Sequence, residues 1–234
     1  MGESAPFHDV FLDAFAGAPH RELAPGEVLI TAGAQADEVF NVLSGTLMVS
    51  RTGRDGRRQV LSFLFRDNFI GLTAADRYYF TVQAVTPAVV ACLQRAEFHR
   101  HLARDPVAER AFMTMTFRVL EDMLDAIYSL GQRTALERLG VFLLYLRHSR
   151  RIAEGIGDDG DARLNDLALP MTREDIADFL GLQKETVSRC FRQLEERSLI
   201  RRMDSHRVLL TDLPRLRDLA GVVDFASPNR PARA

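Results

Sequence analysis

The sequence contains no tryptophan, one lysine and two cysteines among its 234 residues. Two cysteines, Cys92 and Cys190, are too few for a disulfide framework and suit a reducing compartment. No apolar run approaches the roughly 20 residues of a membrane-spanning helix. The N-terminus lacks the basic-then-apolar pattern of an export signal. We therefore expect a cytoplasmic protein that does not associate with a membrane.

Neither sign of charge dominates the chain. Thirty Lys and Arg residues against 32 Asp and Glu residues give a formal net charge of −2, which excludes a non-specific nucleic-acid coat protein. Any affinity for nucleic acid must come from a local patch and from base contacts. Because Lys184 is the only lysine, such a patch would use the planar donor fork of arginine.

The segment from Met171 to Arg189 predicts two short helices joined by a tight turn. Thr172 is a favourable N-cap, and Asp175 follows at the spacing of a capping box. Gly181 supplies the left-handed turn residue. This arrangement is typical of a DNA-reading helix-turn-helix. The second helix begins near Gln183, with Val187, Cys190, Phe191 and Leu194 inward and Glu185, Ser188, Arg189 and Arg192 outward.

The residues after this helix pair predict a β-hairpin wing. Leu199–Arg202 and Arg207–Thr211 are β-prone runs separated by a short polar turn. Between Lys184 and Arg207, seven Lys or Arg residues stand against four Asp or Glu residues, where a phosphate backbone would pass. The alternative is an ordinary helix pair with solvated arginines. Agreement of the turn, the wing and the outward polar set favours DNA binding.

The N-terminal half predicts an antiparallel β-structure preceded by a short helix. Phe7, Phe11 and Phe15 recur at helical spacing. Six β-prone runs follow with glycines at the turns and no intervening helices, which favours an antiparallel sandwich or roll. The runs are Glu27–Thr31, Glu38–Leu43, Thr46–Arg51, Gln59–Phe65, Phe80–Ala84 and Val89–Leu93.

Two longer helices are predicted between these regions, from Pro106 to about Leu130 and from Thr134 to about Arg150. The segment Ala153–Leu167 is rich in Gly and Asp and predicts an exposed loop. Its acidic cluster lacks the terminal Glu of an EF-hand, so a solvated loop is favoured over a Ca²⁺ site.

In this order the elements resemble the cyclic-AMP receptor protein/FNR family of bacterial transcription regulators, from about Leu23 to Gly221. The matching motifs are Leu-Ala-Pro-Gly-Glu-Val-Leu from Leu23, Phe-Asn-Val-Leu-Ser-Gly-Thr-Leu from Phe40, Gly-Arg-Arg-Gln-Val-Leu from Gly56, Asp-Asn-Phe-Ile-Gly-Leu from Asp67, Glu-Arg-Leu from Glu137 and Lys-Glu-Thr-Val-Ser-Arg from Lys184.

The resemblance implies an α+β fold and a homodimer that binds double-stranded DNA and RNA polymerase. Its parts would be an N-terminal antiparallel β-roll sensor resembling a cyclic-nucleotide-binding domain (1–105), a long dimerisation helix (106–131) and a C-terminal winged helix-turn-helix (132–222). A disordered tail is predicted over 223–234.

The chain departs from the family pattern where effectors bind. Members that bind cyclic nucleotides carry Glu directly after the glycine of the phosphate cassette and then an Arg-Ser pair. Here Gly71 is followed by Leu-Thr-Ala-Ala, and the later segment from Tyr78 reads Tyr-Tyr-Phe-Thr-Val-Gln. A buried phosphate without arginine would be a costly unpaired charge, so cyclic AMP is not expected to bind. Two cysteines also cannot supply the four thiolates of the iron–sulfur cluster in oxygen-sensing members.

What remains resembles the FixK-like branch and the haem-dependent, nitric-oxide-responsive branch, which regulate low-oxygen and denitrification genes. Haem would need an axial ligand, and no cofactor is predicted outright. Cys92 is expected to fill the core. Cys190 is either buried or a redox switch activated by the adjacent Arg189, with burial favoured. The candidate haem ligands, each alternatively an exposed polar histidine, are His8, His20, His99 and His101.

The resemblance assigns base reading to Glu185, Ser188 and Arg189. Arg189 suits guanine O6 and N7, Glu185 accepts from a cytosine or adenine amino group, and Ser188 can meet a thymine. FixK-type proteins with this set read TTGAT half-sites in a palindrome, which we expect here. Lys184 adds a phosphate contact or alters reading of the outer base. The predicted phosphate or flanking contacts are Thr172, Lys184, Thr186, Arg192, Arg202 and Arg207.

The long helix carries a heptad seam suited to a parallel two-stranded coiled coil. In oxygen-sensing relatives an acidic residue occupies the position matching Met123, so a methionine there predicts a dimer without any ligand. Phe112, Phe117 and Leu124 fall beside the seam and are expected to cover the β-roll. The seam residues are Met113, Thr116, Leu120, Met123, Ile127 and Leu130.

Two other classes of function are less well supported. An enzyme would need a metal-ligand spacing, a nucleophile elbow or a phosphate loop, and the sequence contains none of these motifs. A regulatory module that acts through protein contacts would show apolar anchors on its docking face instead of Arg, Ser and Glu.

Overall fold

The computed structural model describes residues 9–157 and 159–222. The predictions for Phe7, His8 and the tail 223–234 lie outside the described residues. The chain divides into two compact units, residues 1–120 and 121–234, and the division falls within the longest helix.

The first unit contains two four-stranded antiparallel sheets, as the sequence predicts. One has the strand order β1-β8-β3-β6 and the other β2-β7-β4-β5. All six predicted strands are present, and the sequence missed two short ones, β1 and β6. The strands are β1 (His20–Leu23), β2 (Val28–Ile30), β3 (Glu38–Ser44), β4 (Leu47–Thr52), β5 (Arg58–Leu64), β6 (Phe69–Ile70), β7 (Thr81–Ala84) and β8 (Ala88–Gln94).

A phenylalanine cluster closes the outer face of the first sheet. The opening helix is a 3-10 helix, Val10–Phe15, whose Phe11 and Phe15 are buried. Phe11 packs edge-on against Phe112, with ring centroids 5.5 Å apart, so the prediction that Phe112 covers the β-roll is confirmed. Helix α1 (Arg95–Arg104) follows β8.

Helix α2 (Pro106–Gln132) is continuous over 27 residues. Phe117 and Leu124 are each 56% exposed. Phe117 belongs to the same unit as the β-roll, and for it the prediction of packing on the roll is wrong. Because Phe117 and Leu124 lie next to the seam, the exposed apolar face of α2 is wider than two positions per heptad. Thr116 donates its hydroxyl to the Phe112 carbonyl at 2.9 Å, which leaves its methyl group for the seam.

The second unit is helical with a three-stranded antiparallel sheet, β10-β11-β9. Part of the predicted loop Ala153–Leu167 is instead ordered against the core, where Leu164 and Leu167 are buried. Strand β9 pairs with β11, a long-range contact that local composition could not reveal. The elements are α3 (Ala135–Ala153), a 3-10 helix (Ala162–Asn165), β9 (Asp166–Ala168), α4 (Arg173–Leu180), α5 (Lys184–Glu196), β10 (Ile200–Arg202), β11 (Arg207–Leu210) and α6 (Leu213–Ala220).

Candidate nucleic-acid interface

Helix α4 begins and ends as its sequence predicts. Asp175 donates its backbone N–H to Thr172 Oγ1 at 3.1 Å, and Thr172 donates its own N–H to Asp175 Oδ2 at 3.0 Å. This capping box satisfies two of the free N–H groups at the helix start. Gly181 ends the helix with φ of 64°, a conformation that glycine adopts without strain. The turn to α5 is therefore specified by local chemistry.

Helix α5 has one buried face and one exposed face. Val187, Cys190, Phe191 and Leu194 are buried, which confirms the predicted inward set. The base-reading and phosphate candidates lie on the other side. The exposed residues of α5 among those candidates are Lys184, Glu185, Ser188, Arg189 and Arg192, and Thr186 is half-buried.

Two side-chain hydrogen bonds organise the exposed face of α5. Arg189 donates Nη2 to Thr186 Oγ1 at 3.0 Å, one helical turn earlier. Ser188 donates its hydroxyl to the Lys184 carbonyl at 3.0 Å, so its oxygen is left with acceptor capacity. Glu185 also only accepts. Among the three base-reading candidates, Glu185 and Ser188 therefore present acceptors and Arg189 presents a donor fork.

The wing carries cations that are partly engaged within the chain. Arg202 donates Nε to Glu195 Oε2 at 2.7 Å and its backbone N–H to Oε1 at 3.0 Å, and these bonds lower the pKa of Glu195. Arg207 donates Nε to Asp166 at 2.8 Å and lowers the pKa of that carboxyl. Both arginines were predicted as phosphate contacts, and both have carboxylate partners. The sequence did not single out the exposed neighbour Arg201.

A groove of about 710 Å³ separates the start of α4 from the wing. Thr172, Arg173, Lys184 and Arg202 line it, together with three carboxylates. The Arg173 guanidinium lies 3.8 Å from the centroid of the Phe191 ring, a cation–π contact that fixes α4 on α5. Burial, and secondarily the charge of Arg202, lower the pKa of Arg173.

Both cysteines are buried, as favoured by the sequence. Burial raises the pKa of the Cys190 thiol, and the opposing effect of Arg189 is smaller. Burial likewise raises the pKa of Cys92. A raised pKa leaves less reactive thiolate, so neither thiol has the setting of a redox switch.

In the β-roll, the segment between Gly71 and Phe80 is held by protein side chains. Arg95 donates to the carbonyls of Thr73 at 2.8 Å, Ala75 at 2.9 Å and Ala36 at 3.3 Å. The hydroxyl of buried Tyr78 donates to the Glu38 carbonyl. Side chains of the chain itself thus fix the part of the roll that corresponds to the phosphate cassette.

The candidate haem ligands that the structure describes, His20, His99 and His101, differ in burial. His20 and His99 are exposed. His101 is half-buried in α1, and its Nε2 is buried without a hydrogen-bond partner among residues 9–157 and 159–222. Over the same residues, no group of three or more His, Cys, Asp or Glu side chains is placed to hold a metal ion.

None of the helices within the described ranges is long and apolar enough to cross a membrane.

Most of the chain matches known protein families. Residues 137–219 match the Crp-like helix-turn-helix domain, and residues 20–105 match the cyclic nucleotide-binding domain. The chain is 35% identical over 184 residues to the nitrogen fixation regulation protein FixK of Azorhizobium caulinodans, covering 79% of this chain and 72% of the relative. It is 30% identical over 202 residues to the transcriptional activator protein FnrL of Cereibacter sphaeroides, covering 86% of this chain and 80% of that one.

A solved structure, that of FixK2 from Bradyrhizobium japonicum, superimposes with a TM-score of 0.77 at 27% identity. The superposition covers 88% of this chain and 99% of FixK2. The fold of each half of the chain is therefore also found in FixK2.

Proposed function

Because the chain belongs to the FixK-like branch of the cyclic-AMP receptor protein/FNR family and is a DNA-binding transcription regulator, we propose that it acts as a homodimer on a TTGAT-type palindrome. Its targets in this proposal are low-oxygen, nitrogen-oxide or redox-related genes, and RNA polymerase is its protein partner. The names of the relatives, nitrogen fixation regulation protein and transcriptional activator protein, support a role in regulating transcription.

The observation that carries the proposal is the hydrogen-bond character of the exposed face of α5. Glu185 offers acceptors, and Arg189 offers a donor fork aligned by Thr186. Guanine presents two acceptors in the major groove, whereas cytosine and adenine present amino donors. A half-site that combines a G·C pair with neighbouring A·T pairs fits this face. The CH₂ group of Ser188 suits a thymine methyl group, while its oxygen can accept from an amino group.

The exposed apolar face of α2 supports the dimer. Leu120, Met123 and Ile127 are 52%, 52% and 67% exposed, an unusual state for side chains of this type on one helix face. Two copies packed in parallel along this face would bury it and present two α5 helices to successive major grooves, about 34 Å apart.

No effector is included in the proposal, since the cassette arginine and the cluster cysteines are missing. A haem-dependent sensor is the second candidate. His101 supports it, because its buried Nε2 lacks a partner among the described residues. An absorption spectrum of freshly purified protein separates the two: a Soret band that His101→Ala removes would favour the haem sensor.

The test of DNA recognition is a salt titration of binding to a TTGAT palindrome. A steep linear fall of log affinity with log salt identifies the phosphate backbone as a ligand. Arg189→Ala should abolish specific binding, because each bidentate base contact contributes roughly 1–3 kcal/mol and the dimer makes it twice. Glu185→Ala should relax discrimination within the half-site.

Ser188→Gly should shift preference toward the half-site of cyclic-AMP-type members, measured by gel-shift competition between the two palindromes. Arg100→Ala is the matched control for Arg189→Ala, since Arg100 is an exposed arginine of α1 outside the recognition helix. A Ser188 variant with unchanged preference would refute the readout assignment, and a flat salt dependence would refute DNA as the ligand.

A further inference from the structure

Arg138, in the first turn of α3, contacts the ends of two other helices. Its Nη2 donates to the Leu130 carbonyl at 2.6 Å and its Nε to the Arg133 carbonyl at 3.0 Å. Its Nη1 donates to the Leu180 carbonyl at 3.0 Å. One guanidinium thus joins the end of α2 to the end of α4.

These three carbonyls are groups that the helices cannot satisfy themselves. Leu130 lies in the last turn of α2, Arg133 directly follows that helix, and Leu180 is the final residue of α4. Carbonyls at a helix C-terminus lack intrahelical partners and carry partial negative charge. A planar cation with donors in a fixed fork satisfies several of them in one geometry, which a flexible ammonium group would not fix as well.

The helix-turn-helix also touches the predicted dimer seam at this point. A Cβ atom on Gly181 would lie 3.1 Å from Leu130 Cδ2 and 3.7 Å from Arg138 Nη1. The turn between α4 and α5 therefore packs directly on Leu130, the last residue of the seam. Leu130 is still 41% exposed, so part of its side chain remains available for the seam.

We propose that Arg138 is a positioning residue that holds the helix-turn-helix on the end of the dimer helix and thereby sets the half-site spacing the dimer accepts. This inference rests on the proposed function, because spacing is defined only for a dimer on a palindrome. Removing the guanidinium leaves three carbonyls without their partner and frees α4 to shift relative to α2. One base pair of extra spacer rotates a half-site by about 35° and moves it about 3.4 Å. A rigid junction should therefore discriminate sharply between palindromes whose spacers differ by one base pair.

The first experiment measures the junction without DNA. Spin labels at Glu121→Cys on α2 and Gln193→Cys on α5, both exposed positions, report the distance between the two helices by pulsed electron resonance. We expect a narrow distance distribution in the parent and at least a twofold broader one in Arg138→Met, which keeps the aliphatic chain but no donor. Arg138→Lys should be intermediate. Arg100→Met, an exposed arginine of α1, is the matched control and should stay narrow.

The second experiment measures spacing preference on DNA. Palindromes with the preferred spacer and with one base pair added or removed are compared in gel shifts. The parent should lose at least tenfold in affinity on either change. Arg138→Met should lose less than threefold, while its affinity for a single half-site stays within twofold of the parent. A variant that is only less stable would weaken all these complexes by the same factor and keep the parent ratio.

An unchanged distance distribution in folded Arg138→Met, or an unchanged spacing ratio, overturns the inference. If Arg138→Met does not fold, the same two outcomes in Arg138→Lys decide it. A broadened distribution in a protein whose parent binds no palindrome supports Arg138 as the junction residue and refutes the proposed function instead. The two failures are therefore distinguishable.

Discussion

At the scale of single residues, Arg147 of the second unit is buried and depends on a carboxylate 12 residues away. Arg147 is 2% exposed and donates Nη1 to Asp159 Oδ1 at 2.6 Å and Nε to Asn165 Oδ1 at 2.9 Å. Arg217 of α6 also donates a hydrogen bond to the Asp159 carboxylate. Desolvation raises the pKa of Asp159, but the bonds from Arg147 and Arg217 outweigh it and lower that pKa overall.

Asp159→Asn should destabilise the protein, because it leaves the Arg147 charge buried without its counterion. Breaking a buried pair costs roughly 3–5 kcal/mol, and we expect about 2–3 kcal/mol because solvent screens a half-exposed carboxylate. Denaturant unfolding at neutral pH measures the change. Asp55→Asn, at the Arg57–Asp55 ion pair in which both side chains are exposed, is the control and should have a much smaller effect.

The Arg147–Asp159 ion pair predicts that the stability of the fold depends on pH. A lowered carboxyl pKa means that its stabilisation is complete above the unfolded value of about 4 and is lost as pH falls through the folded value. The gap in unfolding midpoint between parent and Asp159→Asn should therefore shrink when both are compared at pH 3. A gap as wide in acid as at neutral pH would show that ionised Asp159 does not stabilise the fold.

At the scale of elements, the proposed dimer depends on α2. Its seam is apolar at every position except Thr116, whose hydroxyl is bonded within the helix. Phe117 and Leu124 extend the exposed apolar surface beside the seam. Burying this surface between two copies is favourable by about 25 cal/mol per Å².

Met123→Asp should weaken the dimer, since two carboxylates would face each other across the two-fold axis in a buried seam. The loss should be largest at neutral pH and low salt, and DNA affinity should fall with it. Sedimentation at micromolar concentration measures the association. Thr114→Asp places the same charge on an exposed position of α2 outside the seam and should leave the dimer intact. A monomeric parent, or a Met123→Asp protein as dimeric as the parent, would exclude seam control.

At the scale of the whole molecule, the β-roll keeps the architecture of a ligand sensor while its own side chains fix the cassette segment. Arg95 supplies three bonds to backbone carbonyls around the segment that runs from Gly71 to Phe80. Tyr78 and Phe80 from that segment are part of the buried core between the sheets. We expect that a roll stabilised in this way needs no bound phosphate to order it.

Saturating cyclic AMP should therefore leave the affinity for the TTGAT palindrome unchanged. The measurement is a gel-shift titration with and without the nucleotide, with 5′-AMP as a control for ionic effects. A reproducible tightening with cyclic AMP alone would mean that the roll has an accessible phosphate site.

The sequence by itself determined the elements whose chemistry is local. The capping box of Thr172 and Asp175, the left-handed Gly181 and the inward spacing of Val187 and Leu194 each depend on residues within one or two helical turns. The six predicted strands of the β-roll were recognisable from their β-prone runs and the glycines at the turns, whereas β1 and β6 were missed.

Only the tertiary structure decided which charged groups have partners within the chain and which apolar side chains are buried. Asp166 meets Arg207 and Leu180 meets Arg138 across sequence separations of 41 and 42 residues, which no local pattern encodes. The end of the predicted loop is ordered because β9 pairs with β11. Whether Phe117 is buried or exposed depends on which segments of the folded chain lie next to it. Hydrogen bonds and burial between distant segments form only when the chain has folded, so helical periodicity gives the face of a residue but not its partner.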